Sequence, residues 1–227
     1  MGAAIGWGTV AASSLVIGAL VGLARPWPRQ WVGLVLGFGA GALISAVSFE
    51  LFGEGVRLAG ALPVAIGLAV GAMAYFLAAG RVAAMGGGAA LALGAFLDGI
   101  PEQLLLGIGL AGGEAVSAGL LAAIFVSNLP EAVGGATDMK RHGHTPRRVI
   151  RNWIGIAVCC ALATPVGYLV ADSASEELQA GINGFAAGAL IVMLVDSMIP
   201  EATDQAGRTT GLVTTLGFAV AAGLSLA

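Results

Sequence analysis

Long apolar segments without regular polar alternation dominate the chain. Charged residues, proline or glycine bound eight such segments, near residues 4–24, 31–52, 61–79, 89–110, 115–137, 149–171, 179–200 and 211–227. A helix needs about 20 apolar residues to cross the ~30 Å hydrocarbon core of a bilayer. Strands of a membrane barrel would alternate apolar and polar residues over about ten positions, and these segments do not. The pattern predicts an all-α polytopic membrane protein with eight transmembrane helices in a single domain, residues 1–227.

Composition strengthens this prediction and excludes several other classes of protein. The 227 residues are 58% hydrophobic and 10% charged, whereas soluble domains carry about 25% charged residues. With 10 Lys and Arg residues and a net charge of −3, the chain lacks the basic surface that nucleic-acid binding requires. The expected surroundings are therefore a lipid bilayer, and nucleic acid is not an expected partner.

The basic residues segregate to alternate connections between the predicted helices. Nine of the ten follow odd-numbered segments: Arg25, Arg29, Arg81, Lys140, Arg141, Arg147, Arg148, Arg151 and Arg208. Connections after even-numbered segments contain Arg57 together with Glu54, Glu114, Asp172, Glu176 and Glu177. The positive-inside rule then places both termini outside. Residues 4–24 lack the basic start of a signal peptide and are expected to remain as the first span. The expected location is the plasma membrane, the inner membrane of a bacterium or archaeon.

Two predicted spans share nearly the same sequence. Residues 37–44 read GFGAGALI and residues 184–191 read GFAAGALI, which is seven identities in eight positions at an offset of 147. In the eight-span topology these spans run in opposite directions, so the repeat is inverted and pairs spans 1–3 with spans 6–8. Spans 4 and 5 form a second pair, which gives a 3+2+3 arrangement. Inverted repeats with interrupted helices at the midplane are typical of secondary transporters.

The two central spans carry the candidate site. Residues 97–102 read LDGIPE and residues 126–131 read VSNLPE. Asp98 and Glu102 share one helix face, as do Ser127 and Glu131, while Asn128 lies three residues before Glu131. Intramembrane carboxylates are costly and usually functional, and the proline before each glutamate frees a carbonyl oxygen nearby. Clusters of oxygen atoms suit divalent cations, so these five residues are predicted metal ligands. The alternative for Ser127 and Asn128 is hydrogen bonding between helices.

Further polar residues lie nearer the ends of spans or in connections. Glu50, Asp196 and Glu201 are expected as entrance or exit groups, with an interfacial carboxylate as the alternative for Glu201. His142 and His144 lie in the basic connection between spans five and six. That HxH pair is expected either to capture metal at the cytoplasmic exit or to be solvated.

Methionines in the apolar segments offer a softer type of donor. Met73, Met193 and Met198 could act as thioether ligands. Because they occur at helical spacing among apolar residues, we expect core packing instead.

These features resemble the ZIP (Zrt-, Irt-like) family of metal transporters. The similarity covers the eight spans, the 3+2+3 arrangement, the proline–glutamate motifs, the SFELF stretch of span two and the GALIVMLVDSMIPEA stretch of span seven. The resemblance implies a metal site, often binuclear, half-way through the membrane. In that family, span four usually carries His-Asn-x-x-Glu, and span five carries His or Gln, then Asn or Asp, then x-x-Glu.

This chain departs from the family pattern at several ligand positions. Six residues stand at the positions of those two motifs: Asp98, Gly99 and Glu102, then Ser127, Asn128 and Glu131. The two glutamates match, but no histidine remains, and Thr164 replaces a glutamate that often precedes Pro-x-Gly in span six. The chain is thus expected to be a divergent member with a mononuclear or weak binuclear site. A site of oxygen ligands favours Mn²⁺, Fe²⁺, Mg²⁺ or Ca²⁺ over Zn²⁺.

The expected function is transport of a divalent metal cation toward the cytoplasm by alternating access. Mn²⁺, Fe²⁺, Zn²⁺ and Mg²⁺ are the candidate substrates, and neither an enzymatic activity nor a further cofactor is expected. One alternative is a transport-inactive relative that senses metal or acts as a scaffold. Another is an intramembrane hydrolase, although no GxSxG, HExxH or GxGD-like motif is present. Faces of small residues allow a homodimer without requiring one.

Overall fold

A computed structural model describes residues 1–25, 27–85, 87–111 and 118–225, except for the side chains of residues 82–98, 112–119, 123, 138, 172 and 225. Throughout these ranges the regular elements are helices, which confirms the all-α prediction. In chain order they are α1 (Gly2–Ala24), α2 (Arg29–Ala46), π1 (Val47–Gly53), α3 (Glu54–Ala59), α4 (Ala61–Met85), α5 (Gly87–Ala111), α6 (Ala118–Arg141), α7 (Pro146–Ser173), α8 (Glu176–Met193), π2 (Leu194–Met198), α9 (Ile199–Ala206) and α10 (Thr209–Ser225).

Six helical stretches in the described ranges are long and apolar enough to cross a membrane. They are Gly2–Ala24, Arg29–Ala59, Ala61–Arg81, Leu120–Arg141, Pro146–Ala171 and Glu176–Ala206. Two further apolar helices are shorter, Gly99–Ala111 and Thr209–Leu224. Each of the eight predicted segments overlaps a helix, and six of these helices meet the requirements for a span.

The surface of the bundle is apolar. Leu62 and Leu212 are 72% and 77% exposed, and Trp31 is 63% exposed. Met73 also lies on this outer surface, so the prediction that it packs in the core is wrong. Soluble proteins rarely expose large contiguous apolar faces, so this distribution is compatible with a membrane protein.

The helices extend further than the sequence pattern predicted. The second predicted span, 31–52, lies within a continuous helical stretch over residues 29–59, and the seventh, 179–200, lies within residues 176–206. Basic residues assigned to connections belong to helix ends, such as Arg81 in α4 and Arg151 in α7. Polar residues continue a helix into the aqueous interface, where an apolar pattern no longer reveals it.

The connection between α6 and α7 is a tight turn rather than a flexible loop. Gly143 has a φ of 85°, a conformation that glycine adopts without steric cost. Its amide donates to the carbonyl of Lys140 at 3.1 Å, and the amide of His144 donates to that of Met139 at 3.1 Å. Residues 142–145 therefore suffice to join the two helices, and the HxH pair lies in this turn with His142 exposed.

The sequence repeat extends to the helix boundaries. Helices α2 and α8 have 18 residues each and occupy equivalent positions at the offset of 147. Both continue directly into a π-helical segment, π1 after α2 and π2 after α8. Further along, Gly60 and Gly207 are also equivalent and have positive φ values of 82° and 63°. The short identity in sequence thus marks a structural correspondence between residues 29–60 and 176–207.

The two repeated stretches pack against each other in opposite directions. A Cβ atom on Gly33, near the start of the first stretch, would lie 2.9 Å from the carbonyl oxygen of Ala202, near the end of the second. A Cβ atom on Gly55, near the end of the first, would lie 3.4 Å from the carbonyl oxygen of Ala180 in the second. In the repeat, Gly33 is equivalent to Ala180 and Gly55 is equivalent to Ala202. Each contact therefore joins the start of one stretch to the end of the other, and the two contacts are related by the symmetry of the repeat.

Glycines allow four helix pairs to approach closely. The pairs are α4 with α8, α2 with α10, α1 with α6, and α5 with α7. Contacts advance together along both members, so the paired helices run parallel: Gly67–Gly181 and Gly71–Phe185, Gly37–Thr210 and Gly41–Thr214, Gly18–Leu129 and Gly22–Val133, Gly99–Cys160 and Gly107–Tyr168. Small residues at such crossings maximise backbone contact where lipid provides no hydrophobic drive for association.

We expect Gly107→Ala to destabilise the fold, whereas Gly109→Ala on the same helix does not. A Cβ atom on Gly107 would lie 2.8 Å from the backbone nitrogen of Tyr168, while one on Gly109 would have no neighbour within 4 Å. Overpacking typically costs about 1–3 kcal/mol, so the Gly107 variant unfolds at lower temperature in detergent. Equal unfolding temperatures for the two variants would contradict the tight α5–α7 contact.

Candidate metal centre

A small cleft of about 10 Å³, roughly the space of one water molecule, lies between α2, α5, α6 and the stretch from α8 to α9. Its polar wall consists of Glu102, Ser127, Glu131, Ser197 and Glu201. Its apolar wall consists of Leu36, Met193 and Met198. The cleft therefore combines residues from both predicted central motifs with residues from both repeated stretches, Leu36 from the first and the others from the second.

A buried hydrogen bond joins the two central motifs. The hydroxyl of Ser127 lies 3.0 Å from Glu102 Oε1, and both residues are buried, with Glu102 1% and Ser127 2% exposed. The same hydroxyl lies 3.0 Å from the carbonyl oxygen of Ile124. A serine hydroxyl has one proton but two lone pairs. It can therefore donate to Glu102, or donate to Ile124 and offer a lone pair to a cation beside Glu102.

Burial decreases stepwise from Glu102 to Glu201. Glu131, one helical turn beyond Ser127 on α6, is half-buried, and Glu201 on α9 is exposed. Glu201 Oε1 accepts a hydrogen bond of 3.0 Å from Gln205 Nε2. That oxygen also lies 3.7 Å from where a Cβ atom on Gly134 would stand, so α6 presents only backbone there. The cleft is closed at Glu102 and open toward Glu201.

Asn128 lies next to the buried serine on α6. It is 1% exposed, and neither its amide nitrogen nor its amide oxygen has a hydrogen-bond partner among the described residues. Leaving a buried polar group unsatisfied costs about 1–3 kcal/mol. A ligand or an ordered water next to Asn128 would remove that cost.

Asp98, the remaining predicted ligand, lies on α5 one turn before Glu102. Its side chain lies outside the described residues. The role of Asp98 as a ligand therefore stays a prediction. Among the described side chains, no group of three or more His, Cys, Asp or Glu residues is arranged to hold a metal ion. The described donors are thus carboxylate, hydroxyl and thioether groups spread along the cleft.

The predicted entrance and exit residues lie at different places. Glu201 lines the cleft, whereas Asp196 is exposed on π2 outside it, and Glu50 is half-buried on π1. His142 is exposed and His144 half-buried in the turn between α6 and α7. Of these five residues, the structure places Glu201 alone in the described cleft wall.

Three cleft residues that carry a donor atom were not predicted as site residues. Ser197 lines the cleft in place of its neighbour Asp196. Met193 and Met198 are 3% and 6% exposed and also line it, so the expectation of buried packing holds but omits their position at the site. The π turn changes which residues share a face, and the 3.6-residue periodicity of an α-helix cannot reveal that change.

A second buried polar contact lies beside the cleft. Thr164 Oγ1 on α7 donates to the side-chain oxygen of Gln103, the residue that follows Glu102. Gln103 Nε2 in turn lies 3.4 Å from the carbonyl oxygen of Gly8 on α1. Gln103 and Thr164 are both fully buried. Neutral residues therefore connect α1, α5 and α7 through Gln103, the residue next to Glu102.

No protein-family model matches the chain, and no curated protein matches its sequence. The resemblance to ZIP transporters therefore rests on the motifs in the sequence. A function must be argued from the chemistry of the cleft.

We expect cysteines introduced along the cleft to react in the order of their exposure. In a background with Cys159→Ala and Cys160→Ala, Glu201→Cys should react quickly with a charged, water-soluble thiol reagent. Glu102→Cys should react far more slowly, because Glu102 is 1% exposed. The measurement is the labelling rate of intact protein by mass spectrometry, and equal rates at the two positions would contradict a cleft closed at Glu102.

Proposed function

We propose that this chain is a multi-pass membrane transporter that moves a divalent metal cation toward the cytoplasm. Glu102 and Glu131 serve as carboxylate ligands, with Ser127 and Asn128 as neutral ligands. Asp98 completes the site from the preceding turn of α5. The observation that carries the proposal is the buried Glu102–Ser127 contact at the closed end of a cleft that a second carboxylate, Glu131, also lines.

A cation explains why the carboxylate of Glu102 is retained in the interior. Transfer of an ionised carboxylate out of water is expensive unless a positive charge or several donors compensate. Arg or Lys does not line the described cleft. Two carboxylates at neighbouring depths also repel each other when both are ionised. A bound divalent cation offsets both costs, and protonation of a carboxylate would favour release of the ion.

In this proposal, the scaffold of the transporter is an inverted repeat of eight spans in a 3+2+3 arrangement. An inverted repeat relates α1, α2–α3 and α4 to α7, α8–α9 and α10, and α5 to α6. The parallel pairs agree with it, because α2 with α10 corresponds to α8 with α4, and α1 with α6 corresponds to α7 with α5. The antiparallel contact between the repeated stretches is consistent with the same symmetry. Such a scaffold can expose one site alternately to the two sides of a membrane.

The open end of the cleft corresponds to the cytoplasmic side in this topology. Glu201 lies near Gly134 on α6, and α6 continues from there to Lys140 and Arg141 in its last turn. Because basic residues favour the cytoplasmic side, Glu201 marks the exit and His142 and His144 lie beyond it. The repeat equivalents of Ser197 and Glu201 are Glu50 and Glu54, so these two residues mark the outer entrance.

The carboxylate, hydroxyl and amide donors favour a hard cation. By ligand type, Mn²⁺, Fe²⁺, Mg²⁺ or Ca²⁺ are better substrates than Zn²⁺. The neutral Gln103–Thr164 contact supplies no charge for a second ion beside Glu102. We therefore propose a single cation position in the cleft.

We expect Glu102→Gln and Glu131→Gln to abolish most Mn²⁺ uptake into proteoliposomes. Each substitution preserves side-chain volume but removes a charged ligand, so the loss should equal or exceed the roughly 10–100-fold effects typical of lost outer-shell partners. The matched control is Glu176→Gln in the exposed first turn of α8, which should transport like the parent protein.

Uptake by both cleft variants at the rate of the parent would exclude the proposed site. Binding of Mn²⁺ to the parent without uptake would instead favour the alternative function, a transport-inactive sensor or scaffold. Gly99 and Thr164 stand where the resemblance to ZIP transporters implies an Asn and a Glu. The loss of these two ligands is the reason to test that alternative.

We expect Mn²⁺ to raise the unfolding temperature of the parent protein but not of Glu102→Gln. A ligand that binds only the folded state stabilises it by about 2.7 kcal/mol at 100 times its Kd. Thermal unfolding in detergent with and without Mn²⁺ measures this difference, and a metal response retained by Glu102→Gln would contradict the assignment.

A further inference from the structure

Segment π2 determines which residues of the repeated stretch face the cleft. Met193, Ser197 and Glu201 follow one another at intervals of four, the spacing of neighbours on an α-helical face. Met198, five residues after Met193, lines the same cleft. An interval of five is the repeat of a π turn, and π2 covers Leu194–Met198. Met198 also precedes Glu201 by three residues, a spacing that places both on one helix face. The π turn therefore lets Met198 join Met193 as well as Glu201 in the same wall.

Met198 is buried in this wall and closely packed. It is 6% exposed, and its terminal methyl group lies 3.2 Å from where a Cβ atom on Gly39 would stand. The absence of a side chain on Gly39 thus leaves room for the end of Met198 beside the cleft. Gly39, on α2, also lies against the backbone of Ser127 on α6. Ser127 is the residue whose hydroxyl contacts Glu102. Met198 consequently packs at the same level as the buried end of the site.

We propose that the thioether sulfur of Met198 is a specificity-determining donor for the cation held by Glu102 and Glu131. Thioether sulfur is a soft, polarisable donor that prefers thiophilic cations, whereas carboxylates and hydroxyls prefer hard ones. One sulfur among oxygen donors moves the preference of the cleft from Mn²⁺ and Mg²⁺ toward softer divalent cations, for which Cd²⁺ is a convenient probe. The inference rests on the proposed function, because it assumes that the cleft binds a cation.

The test compares Cd²⁺ and Mn²⁺ binding to purified full-length protein by calorimetry, in the Cys159→Ala, Cys160→Ala background. Replacing Met198 with Leu keeps a similar volume but removes the sulfur, while replacing it with Gln substitutes a hard donor. Both variants should shift the ratio of the two dissociation constants toward Mn²⁺ by roughly tenfold or more, the scale of other metal-site mutations. The control is Met139→Leu, a residue buried in another cluster with Trp153, which should leave the ratio unchanged.

The ratio separates a donor from a packing residue. If Met198 only fills space beside Gly39, its substitution weakens both metals equally and the ratio stays constant, which would overturn the inference. Proteoliposome uptake of the two metals by the same variants should show the same change in ratio. Failure of the proposed function has a different signature, because then the parent binds neither metal, or binds both unchanged when Glu102 is replaced with Gln.

Discussion

Burial of the Glu102 carboxylate is the constraint on which the candidate site depends. Its contact with Ser127 places α5 against α6 at one depth. Close helix packing makes this contact possible, because Gly107 and Gly18 let α7 and α1 approach α5 and α6 from outside. The glycines keep four helices close together around this buried carboxyl group. A cation bound to it would stabilise the whole arrangement, so the packing and the proposed function would have a common physical basis.

The repeated stretches add an element that regular helices lack. Both change from α to π geometry immediately after equivalent helices and then turn at equivalent glycines, Gly60 and Gly207. A π turn widens the helix and is frequent at functional sites. In the second repeat it brings Met198 to the cleft beside Ser197. The second π segment therefore helps to shape the cleft, and the central motifs supply its buried carboxyl groups.

Much of the helical pattern was predictable from sequence, because apolar runs mark the interior of each span. The motif residues Glu102, Ser127 and Glu131 were predictable as well, since polar residues in such runs are rare and each pair shares a face. The position of Met198 was not predictable, because its place depends on a π turn that no sequence motif announces. The turn at Gly143 and the extended helix ends were missed for a related reason, since polar helix ends and polar loops have the same composition.

The two repeated stretches differ in the residues around equivalent carboxylates. Glu54 and Glu201 are equivalent positions, yet their surroundings differ. Glu54 forms an ion pair of 3.1 Å with Arg57 on the same helix. Glu201 accepts a hydrogen bond from Gln205, one turn further along α9, and lines the cleft. The two stretches therefore share the path of their backbone but differ in the side chains around equivalent carboxylates. The symmetry of the scaffold does not extend to its charges, so the two ends of the repeat are chemically distinct.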